Sequence, residues 1–190
     1  MKKKIIFLGY SRYKTKIIDF LRKKKYRVIF GGQKKLNIKF LRNSDLILSF
    51  GYNKLISKKI LSELPKPPIN LHISYLPYNK GSHPNYWSFV ENTPSGVSIH
   101  EIDGGIDTGK IIYRKKITFK KKHKLTFQSS YNILIKEIEK LFFKNYKFLI
   151  NNTYKTKTVR SKGTYHKKNE LPKNIKSWNI KIIEYLKKIE

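Results

Sequence analysis

The order of apolar residues in the first half of the chain predicts strands and helices in alternation. Continuous apolar runs predict strands at residues 4–9, 27–30, 45–51 and 69–72. Between them, apolar side chains recur every three or four positions and predict helices at about residues 14–25, 35–42 and 55–61. A strand–helix repeat with short links predicts an α/β fold, with a Rossmann-like, mostly parallel sheet and flanking helices.

The second half of the chain predicts a short antiparallel extension of that sheet and one long helix. Val97 and Ile99 alternate with Ser98 and His100, which is the pattern of a strand. Further elements are predicted at residues 110–117 (a strand), 126–151 (a long helix with one apolar stripe) and 180–189 (a short amphipathic helix).

The composition predicts a folded cytoplasmic protein. Of the 190 residues, 39% are hydrophobic and 14% aromatic, which suffices for one normal core. Because the chain has no cysteine, neither a disulfide nor a thiolate metal site can form. The apolar run after the basic start is about five residues long, too short for a signal peptide or a membrane span, so no membrane partner is expected.

The net charge of +31 comes mostly from lysine, with 43 Lys and Arg against 12 Asp and Glu. Lys, Ile, Asn, Tyr and Phe all have AT-rich codons, so the base composition of the genome accounts for much of the excess. A dedicated nucleic-acid site more often uses arginine, whose planar guanidinium holds phosphate and guanine at two points. A polyanion partner and general attraction of an anionic substrate stay open, with nucleic acid the disfavoured partner.

One window, residues 69–112, is poor in lysine and rich in Asn, His, Asp, Gly and Pro. In an extended strand Asn70 and His72 point to the same side, and Asp107 lies in a glycine-bounded loop able to fold back over them. An amide, an imidazole and a carboxylate that converge in a cleft suit acyl transfer to an amine. Each residue also has an ordinary structural role, since Asn and His occur at strand ends and Asp in turns.

Sequence motifs for several other kinds of site are missing from the chain. It contains no G-x-S-x-G nucleophile elbow, no H-E-x-x-H zinc motif, no G-x-G-x-x-G turn and no Walker loop. Direct transfer without a covalent intermediate and without a metal is therefore expected.

The same window resembles the formyltransferases that use 10-formyltetrahydrofolate. The family pattern is N-x-H-x-S-x-L-P, then a loop with Gly, a G-[VA]-[ST] strand and a closing D-[TA]-G. The matching residues are Asn70, His72, Ser74, Leu76, Pro77, Gly81, Gly96, Val97, Ser98, Asp107, Thr108 and Gly109. Three spaced blocks in the right order make the resemblance specific over residues 70–112.

This resemblance implies that a neutral amine attacks the formyl carbon of 10-formyltetrahydrofolate. Asn70, His72 and Asp107 occupy the family's catalytic positions. Asn70 and His72 would stabilise the oxyanion, and His72 with Asp107 would move the amine proton, with the base left open between those two. The residues expected to hold the folate, in loops that flank the catalytic strand, are Phe50, Gly51, Tyr52, Leu55, Ile102, Asp103 and Gly104.

Members of the family act on glycinamide ribonucleotide, on methionyl-tRNA or on nucleotide-linked amino sugars. The purine-pathway members carry a Gly- and Ser-rich turn after the first strand, whereas here Gly9 is followed by residues 10–13, Tyr-Ser-Arg-Tyr. The tRNA enzymes have a sizeable C-terminal domain, but only about 35 residues follow Lys155 here. The segments LPYNKGSHPNYWSF (76–89) and GTYH (163–166) resemble the sugar enzymes.

The expected acceptor is therefore a small-molecule amine, on a nucleotide-linked sugar. The residues expected to bind it are Tyr10, Arg12, Tyr78, Lys80 and Trp87. The chain is divided into a catalytic domain at 1–152 and a basic C-terminal extension at 153–190, expected to pack on or near the active-site side. A homo-oligomer is compatible with the sequence.

Two alternatives stay open. Within the family, the acceptor is methionyl-tRNA or glycinamide ribonucleotide. Outside it, the chain is a non-catalytic basic protein that binds nucleic acid, which predicts salt-sensitive binding with no need for folate.

Overall fold

A computed structural model describes residues 2–120, 122–173, 175 and 177–189. The strands are β1 (Lys4–Gly9), β2 (Arg27–Gly32), β3 (Leu46–Phe50), β4 (Ile69–His72), β5 (Lys80–Gly81), β6 (Gly96–Glu101), β7 (Ile111–Lys116) and β8 (Tyr165–His166). The α-helices are α1 (Ile17–Lys23), α2 (Ile38–Leu41), α3 (Lys58–Ser62), α4 (Pro84–Val90), α5 (Phe127–Asn151) and α6 (Ile182–Leu186). Short 3-10 turns lie at Lys122–Lys124 and Lys168–Glu170.

Within the described residues, one sheet contains six strands in the order β2-β1-β3-β4-β6-β7. The pairs β1–β2, β1–β3 and β3–β4 are parallel, and the pairs β4–β6 and β6–β7 are antiparallel. The predicted α/β fold, with a mostly parallel sheet and a short antiparallel extension, is confirmed.

The sheet is buried on both faces, as β1 demonstrates. Ile5 and Phe7 enter a large hydrophobic cluster that includes side chains of α5. Ile6 and Leu8, on the other face of the same strand, enter a smaller cluster with Leu41 and neighbouring side chains. Continuous apolar runs of this kind are expected where helices cover both faces of a parallel sheet.

Polar caps make several helices shorter than the apolar pattern predicts. The side chain of Ser57 accepts a hydrogen bond from the Ile60 amide, so α3 begins at Lys58 instead of residue 55. Leu55 lies before this cap and is 71% exposed. Asn37 caps α2 in the same way. Caps of this type satisfy amide groups that the first helical turn leaves without a partner.

The tail after α5 contacts the rest of the chain at several places. The two-residue strand β8 pairs in parallel with β5, and neither of these strands follows from the apolar pattern. Ile182 and Tyr185 of α6 are buried in the large hydrophobic cluster. The division of the chain at residue 152 stays a prediction. Among the described helices, none has the length and apolar character needed to cross a membrane.

Candidate active site

A cavity of about 830 Å³ lies beyond the carboxyl ends of β1, β3 and β4. This is the edge of the sheet at which open α/β folds bind their ligands. Two further parts of the chain line it. The loop wall consists of residues 49–56, 102–103 and 105–109, and the tail wall consists of residues 165–168 with His83 and Trp178.

Strands β4 and β6 place three polar side chains at the floor of this cavity. Asn70 and His72 are two residues apart on β4 and belong to the same face of the sheet. The antiparallel register puts His100 of β6 directly opposite Asn70. Nδ2 of Asn70 lies 3.1 Å from Nε2 of His100, whose Nδ1 donates to the Glu101 carbonyl oxygen at 2.8 Å. His72 is 9% exposed and His100 is 2% exposed.

The loop between β6 and β7 adds the carboxylate of Asp107. This residue has a left-handed backbone conformation, with a φ of 53°. Its Oδ1 accepts a hydrogen bond from Nδ2 of Asn70 at 3.2 Å, and its Oδ2 lies 3.5 Å from Nε2 of His72. The amide of Gly81 donates to Oδ2 at 2.8 Å. The structure thus brings together the three residues that the sequence predicts to be catalytic.

Burial and hydrogen bonding set the charges of this cluster. Burial lowers the pKa of His72 below its ordinary value, although the neighbouring Asp107 carboxylate opposes that effect. For Asp107, burial alone would raise the pKa. The proximity of His72 and hydrogen bonds that include the one from Gly81 outweigh burial and hold the pKa of Asp107 below its usual range. At neutral pH the site therefore contains a neutral imidazole beside an ionised carboxylate.

This arrangement offers two acceptors for a proton. Nε2 of His72 lies 3.2 Å from the Asn79 carbonyl oxygen and 3.5 Å from Oδ2 of Asp107. Because two acceptors lie near Nε2, we place the hydrogen of the neutral imidazole on Nε2. Nδ1 is then unprotonated. The unprotonated Nδ1 of His72 and the ionised carboxylate of Asp107 are the two groups of this cluster able to accept a proton from an amine.

Most residues predicted to bind the folate line the cavity. They are Phe50, Gly51, Tyr52, Leu55, Ile102 and Asp103. Gly104 is absent from the lining, and a Cβ at this position would lie 2.7 Å from the side chain of Lys58. Asp103 binds its own loop, accepting hydrogen bonds from the Gly105 amide at 2.9 Å and from Oγ1 of Thr108 at 2.6 Å. The binding roles of all seven residues stay predictions.

Only Tyr10 of the five residues predicted to bind the acceptor lines the cavity. Arg12 lies over the ring of Tyr13, and Nζ of Lys80 donates to the Lys162 carbonyl oxygen at 3.0 Å. The Tyr78 carbonyl oxygen accepts a hydrogen bond from the hydroxyl of Ser74. Arg12, Tyr78 and Lys80 do not line the cavity, and the binding roles of these residues stay predictions.

Trp87 is also outside the cavity lining, for a reason that lies in the tail. Its ring stacks on His166, with centroids 4.0 Å apart and 11° between the planes. This stack is a packing contact within the protein, and the binding role of Trp87 stays a prediction. The stack explains why an aromatic residue at this position need not touch a ligand.

Several cavity residues were missed by the sequence analysis. Tyr131 of α5 shares a 2.8 Å hydrogen bond with the hydroxyl of Tyr10, and burial raises the pKa of Tyr131, so its hydroxyl stays protonated. The rings of His83 and Trp178 stack with centroids 5.8 Å apart. For His100 a signal existed, because it lies on the polar face of an alternating strand. Pairing that strand with β4 would have placed His100 near Asn70.

No group of three or more His, Asp or Glu side chains in the described part of the chain is arranged to hold a metal ion.

Comparison with known proteins identifies a family and several solved structures, among them one that is similar over nearly the whole chain. The family described as formyl transferase matches residues 32–142, which is 111 of the 190 residues. The formyltransferase PseJ from Anoxybacillus kamchatkensis, solved in complex with UDP-4,6-dideoxy-4-formamido-L-AltNAc and tetrahydrofolate, has a TM-score of 0.88 and 36% sequence identity. This similarity covers 98% of the present chain and 100% of PseJ.

Methionyl-tRNA formyltransferases are similar over a shorter part. The protein from Prochlorococcus marinus is 32% identical over 137 residues, or 69% of this chain and 38% of that protein. The one from Desulforamulus reducens is 35% identical over 75 residues, or 39% of this chain and 24% of that protein. The chain therefore spans less than half the length of these two relatives. The family match and the likeness to PseJ confirm the resemblance seen in the sequence: this chain belongs to the formyl transferase family.

Proposed function

We propose that this chain moves the formyl group of 10-formyltetrahydrofolate to the amine of a nucleotide-linked amino sugar. The extent of the likeness to PseJ carries this proposal. A similarity that covers 98% of the chain must include most of the tail after α5, since 2% of 190 residues is about four. The similarity to the methionyl-tRNA formyltransferase of Prochlorococcus marinus covers 69% of the chain.

The loop wall has the chemistry expected of a folate-binding surface. Leu55 is 71% exposed and Ile106 is 37% exposed, and both line the cavity beside Ile56 and Ile102. Exposed apolar side chains at a concave surface favour a ligand with a flat apolar body, such as a pterin ring.

The tail wall has the chemistry expected around a nucleoside diphosphate. Lys167 and Lys168 line the cavity there, together with the stacked rings of His83 and Trp178. Ammonium groups attract the negative charge of a diphosphate, and aromatic rings provide surfaces on which a base or sugar can lie. Lys14 lines the cavity as well.

The cluster between the walls carries the proposed proton transfer. The bound folate supplies an electrophilic formyl carbon. Nδ1 of the neutral His72, or the carboxylate of Asp107, takes the proton that the attacking amine must lose. As the bond between the formyl carbon and N10 of the folate breaks, N10 gains a proton and tetrahydrofolate leaves. Asn70 would turn one of its N–H groups from His100 or Asp107 to stabilise the negative charge on the formyl oxygen.

A formylation assay tests the proposal. The chain is incubated with 10-formyltetrahydrofolate and, in separate reactions, UDP-linked 4-amino sugars, other nucleotide-linked amino sugars, methionyl-tRNA or glycinamide ribonucleotide. Mass spectrometry then detects the gain of one CO unit on the acceptor. We expect formylation of a nucleotide-linked amino sugar, and His72→Asn should abolish it while folate still binds.

His123→Asn is the matched control, because His123 is exposed in a 3-10 turn and does not line the cavity. It should formylate at the wild-type rate. If methionyl-tRNA is the only acceptor formylated, the proposed acceptor is wrong. Salt-sensitive binding of nucleic acid, with no folate binding, would replace the enzymatic function altogether.

A further inference from the structure

The tail segment, residues 162–166, docks onto the loop that follows β4. The amide of Lys80 donates to the Thr164 carbonyl oxygen at 3.0 Å, and the amide of Ser82 donates to the His166 carbonyl oxygen at 2.9 Å. These backbone hydrogen bonds form the short ladder between β5 and β8. They join two parts of the chain that are more than 80 residues apart in sequence.

The hydroxyl of Thr164 adds a side-chain contact that reaches a buried residue. It accepts a hydrogen bond from the Asn79 amide at 2.8 Å and donates to Oδ1 of Asn79 at 3.1 Å. Asn79 is 1% exposed and has a left-handed backbone, with a φ of 53°. Its Nδ2 donates to Thr93 at 2.8 Å. A single hydroxyl group thus holds both the backbone and the side chain of Asn79.

Glycine on each side permits this close approach. A Cβ on Gly81 would collide with the His166 carbonyl oxygen, and a Cβ on Gly163 would collide with the Pro77 carbonyl oxygen. Both glycines also have positive φ values, 86° and 61°. The backbones therefore pack at a distance that no other residue type would allow at these two positions.

The imidazole of His166 anchors the end of the tail segment. It is 8% exposed and stacks on Trp87. Its Nε2 lies 3.1 Å from Oε1 of Glu91, and its Nδ1 lies 3.3 Å from Oε2 of Glu170. Stacking on Trp87 holds this imidazole in place, with a carboxylate near each ring nitrogen.

The loop held in this way contacts the catalytic cluster at two points. The Asn79 carbonyl oxygen lies 3.2 Å from Nε2 of His72, and the Gly81 amide donates to Oδ2 of Asp107 at 2.8 Å. One contact bears on the imidazole and the other on the carboxylate. The position of the loop therefore determines how the two groups lie relative to each other.

We propose that Thr164 is a positioning residue: its hydroxyl fixes Asn79, and the backbone of residues 79–81 then sets the relative placement of His72 and Asp107. The role of Thr164 in turnover rests on the proposed function. Its role in the geometry does not. The tail thus serves the chemistry as well as lining the cavity.

Thr164→Val tests the proposal, since valine has a similar shape and lacks the hydroxyl. We expect kcat to fall about 10- to 100-fold, because small misplacement of reacting groups has effects of that order. The KM values for folate and acceptor should change less than about twofold. Thr164→Ser, which keeps the hydroxyl, should retain most of the wild-type kcat, and thermal unfolding should confirm that each variant is folded.

Thr158→Val is the matched control, because Thr158 is an exposed residue of the same tail. It should behave as the wild type. Hydrogen exchange of the Gly81 amide, measured by NMR, provides a readout that needs no turnover: exchange should be faster in Thr164→Val and unchanged in Thr158→Val. The ring signals of His72 should shift in Thr164→Val alone.

These measurements separate the two proposals. If the wild type formylates no acceptor, the proposed function fails, and Gly81 exchange with the His72 signals still decides the role of Thr164. Unchanged exchange and unchanged ring signals in Thr164→Val would overturn that role. A kcat equal to that of Thr158→Val, or a loss that Thr164→Ser does not restore, would also overturn it.

Discussion

The loop wall and the tail wall differ in chemistry and in origin. The loop wall presents apolar side chains such as Leu55 and Ile106, together with backbone groups and Asp103. The tail wall presents two lysines and stacked aromatic rings. The loop wall lies inside the part of the chain that matches the formyl transferase family, residues 32–142, and residues 165–168 lie beyond it.

Under the proposed function, the loop wall binds the formyl donor and the tail wall binds the acceptor. If all family members use the same donor, the surface that binds it should lie in the part of the chain that matches the family. The loop wall lies in that part. An acceptor that varies between family members calls for a surface that varies with it, and the tail supplies one. The catalytic cluster touches both, since Asp107 belongs to the loop wall and the tail segment holds the loop that contacts Asp107.

The largest expected effect comes from removing the negative charge of Asp107. Asp107→Asn should lower kcat about 1000-fold, because it removes a proton acceptor and leaves one acceptor oxygen for the two hydrogen bonds that come from Asn70 and Gly81. Binding of folate and of the nucleotide-sugar should persist, as measured by calorimetry. Asp19→Asn, at an exposed position of α1, is the control. Loss of binding to both ligands in Asp107→Asn would contradict a separate role for the walls.

The pH dependence of the rate should follow the protonation of His72 and should not depend on the residues that bind donor or acceptor. The pKa of His72 is lowered, so its imidazole is neutral and able to accept a proton above that pKa. The rate should therefore be level above pH 7 and fall about tenfold per pH unit below the pKa of His72, which lies under its ordinary value of about 6.5. A rate that rises as the pH falls below 6 would indicate that His72 acts as an acid in the step measured.

Truncation of the loop wall should weaken donor binding alone. Leu55→Ala should raise the Kd for tetrahydrofolate about tenfold, since burial of a leucine side chain contributes about 1.5–3 kcal/mol. Affinity for the nucleotide-sugar should not change. Ile183→Ala removes an equally apolar side chain that is 44% exposed and away from the cavity, and should leave both affinities as they are. If Leu55→Ala also weakened binding of the nucleotide-sugar, the two walls would not be separate binding surfaces.

The smallest expected effect comes from the tail wall. Lys168→Ala should raise the KM for the nucleotide-sugar about threefold, because an exposed charge contributes at most about 1 kcal/mol. The effect should shrink as salt is added, and the KM for folate should stay constant. Lys173→Ala, an exposed tail residue outside the cavity, should have no effect. Equal changes in both variants would mean that the lysines act only through net charge.

Much of the fold could be predicted because its signals are local. The apolar run of β1 and the stripe of α5 lie in continuous segments, and both elements appear where the pattern places them. Helix ends were less predictable, since Ser57 and Asn37 shorten α3 and α2 through single hydrogen bonds. The strands β5 and β8 have two residues each and no periodicity, so nothing in their sequence indicates that they pair.

Residues of the candidate site could likewise be predicted where their signals lie within one short segment. Asn70 and His72 could be chosen from one strand and Asp107 from one motif, because each lies in a compact part of the sequence. His100 needed the register of β6 against β4, and Tyr131 needed the packing of α5 beside Tyr10. Arg12, Tyr78, Lys80 and Trp87 lie outside the cavity lining. Neither their chemistry nor the resemblance of residues 76–89 to the sugar enzymes shows where their side chains lie in the folded chain.

The sequence by itself determined the α/β architecture, the family and the identity of the three residues that converge at the end of β4. Those properties depend on apolar period and on spacing within short segments, which a single chain displays directly. Only the tertiary structure decided which side chains surround the cluster and that residues 162–166 dock beside it. These contacts join residues far apart in the chain, and their energy comes from hydrogen bonds and packing that exist only once the sheet has formed.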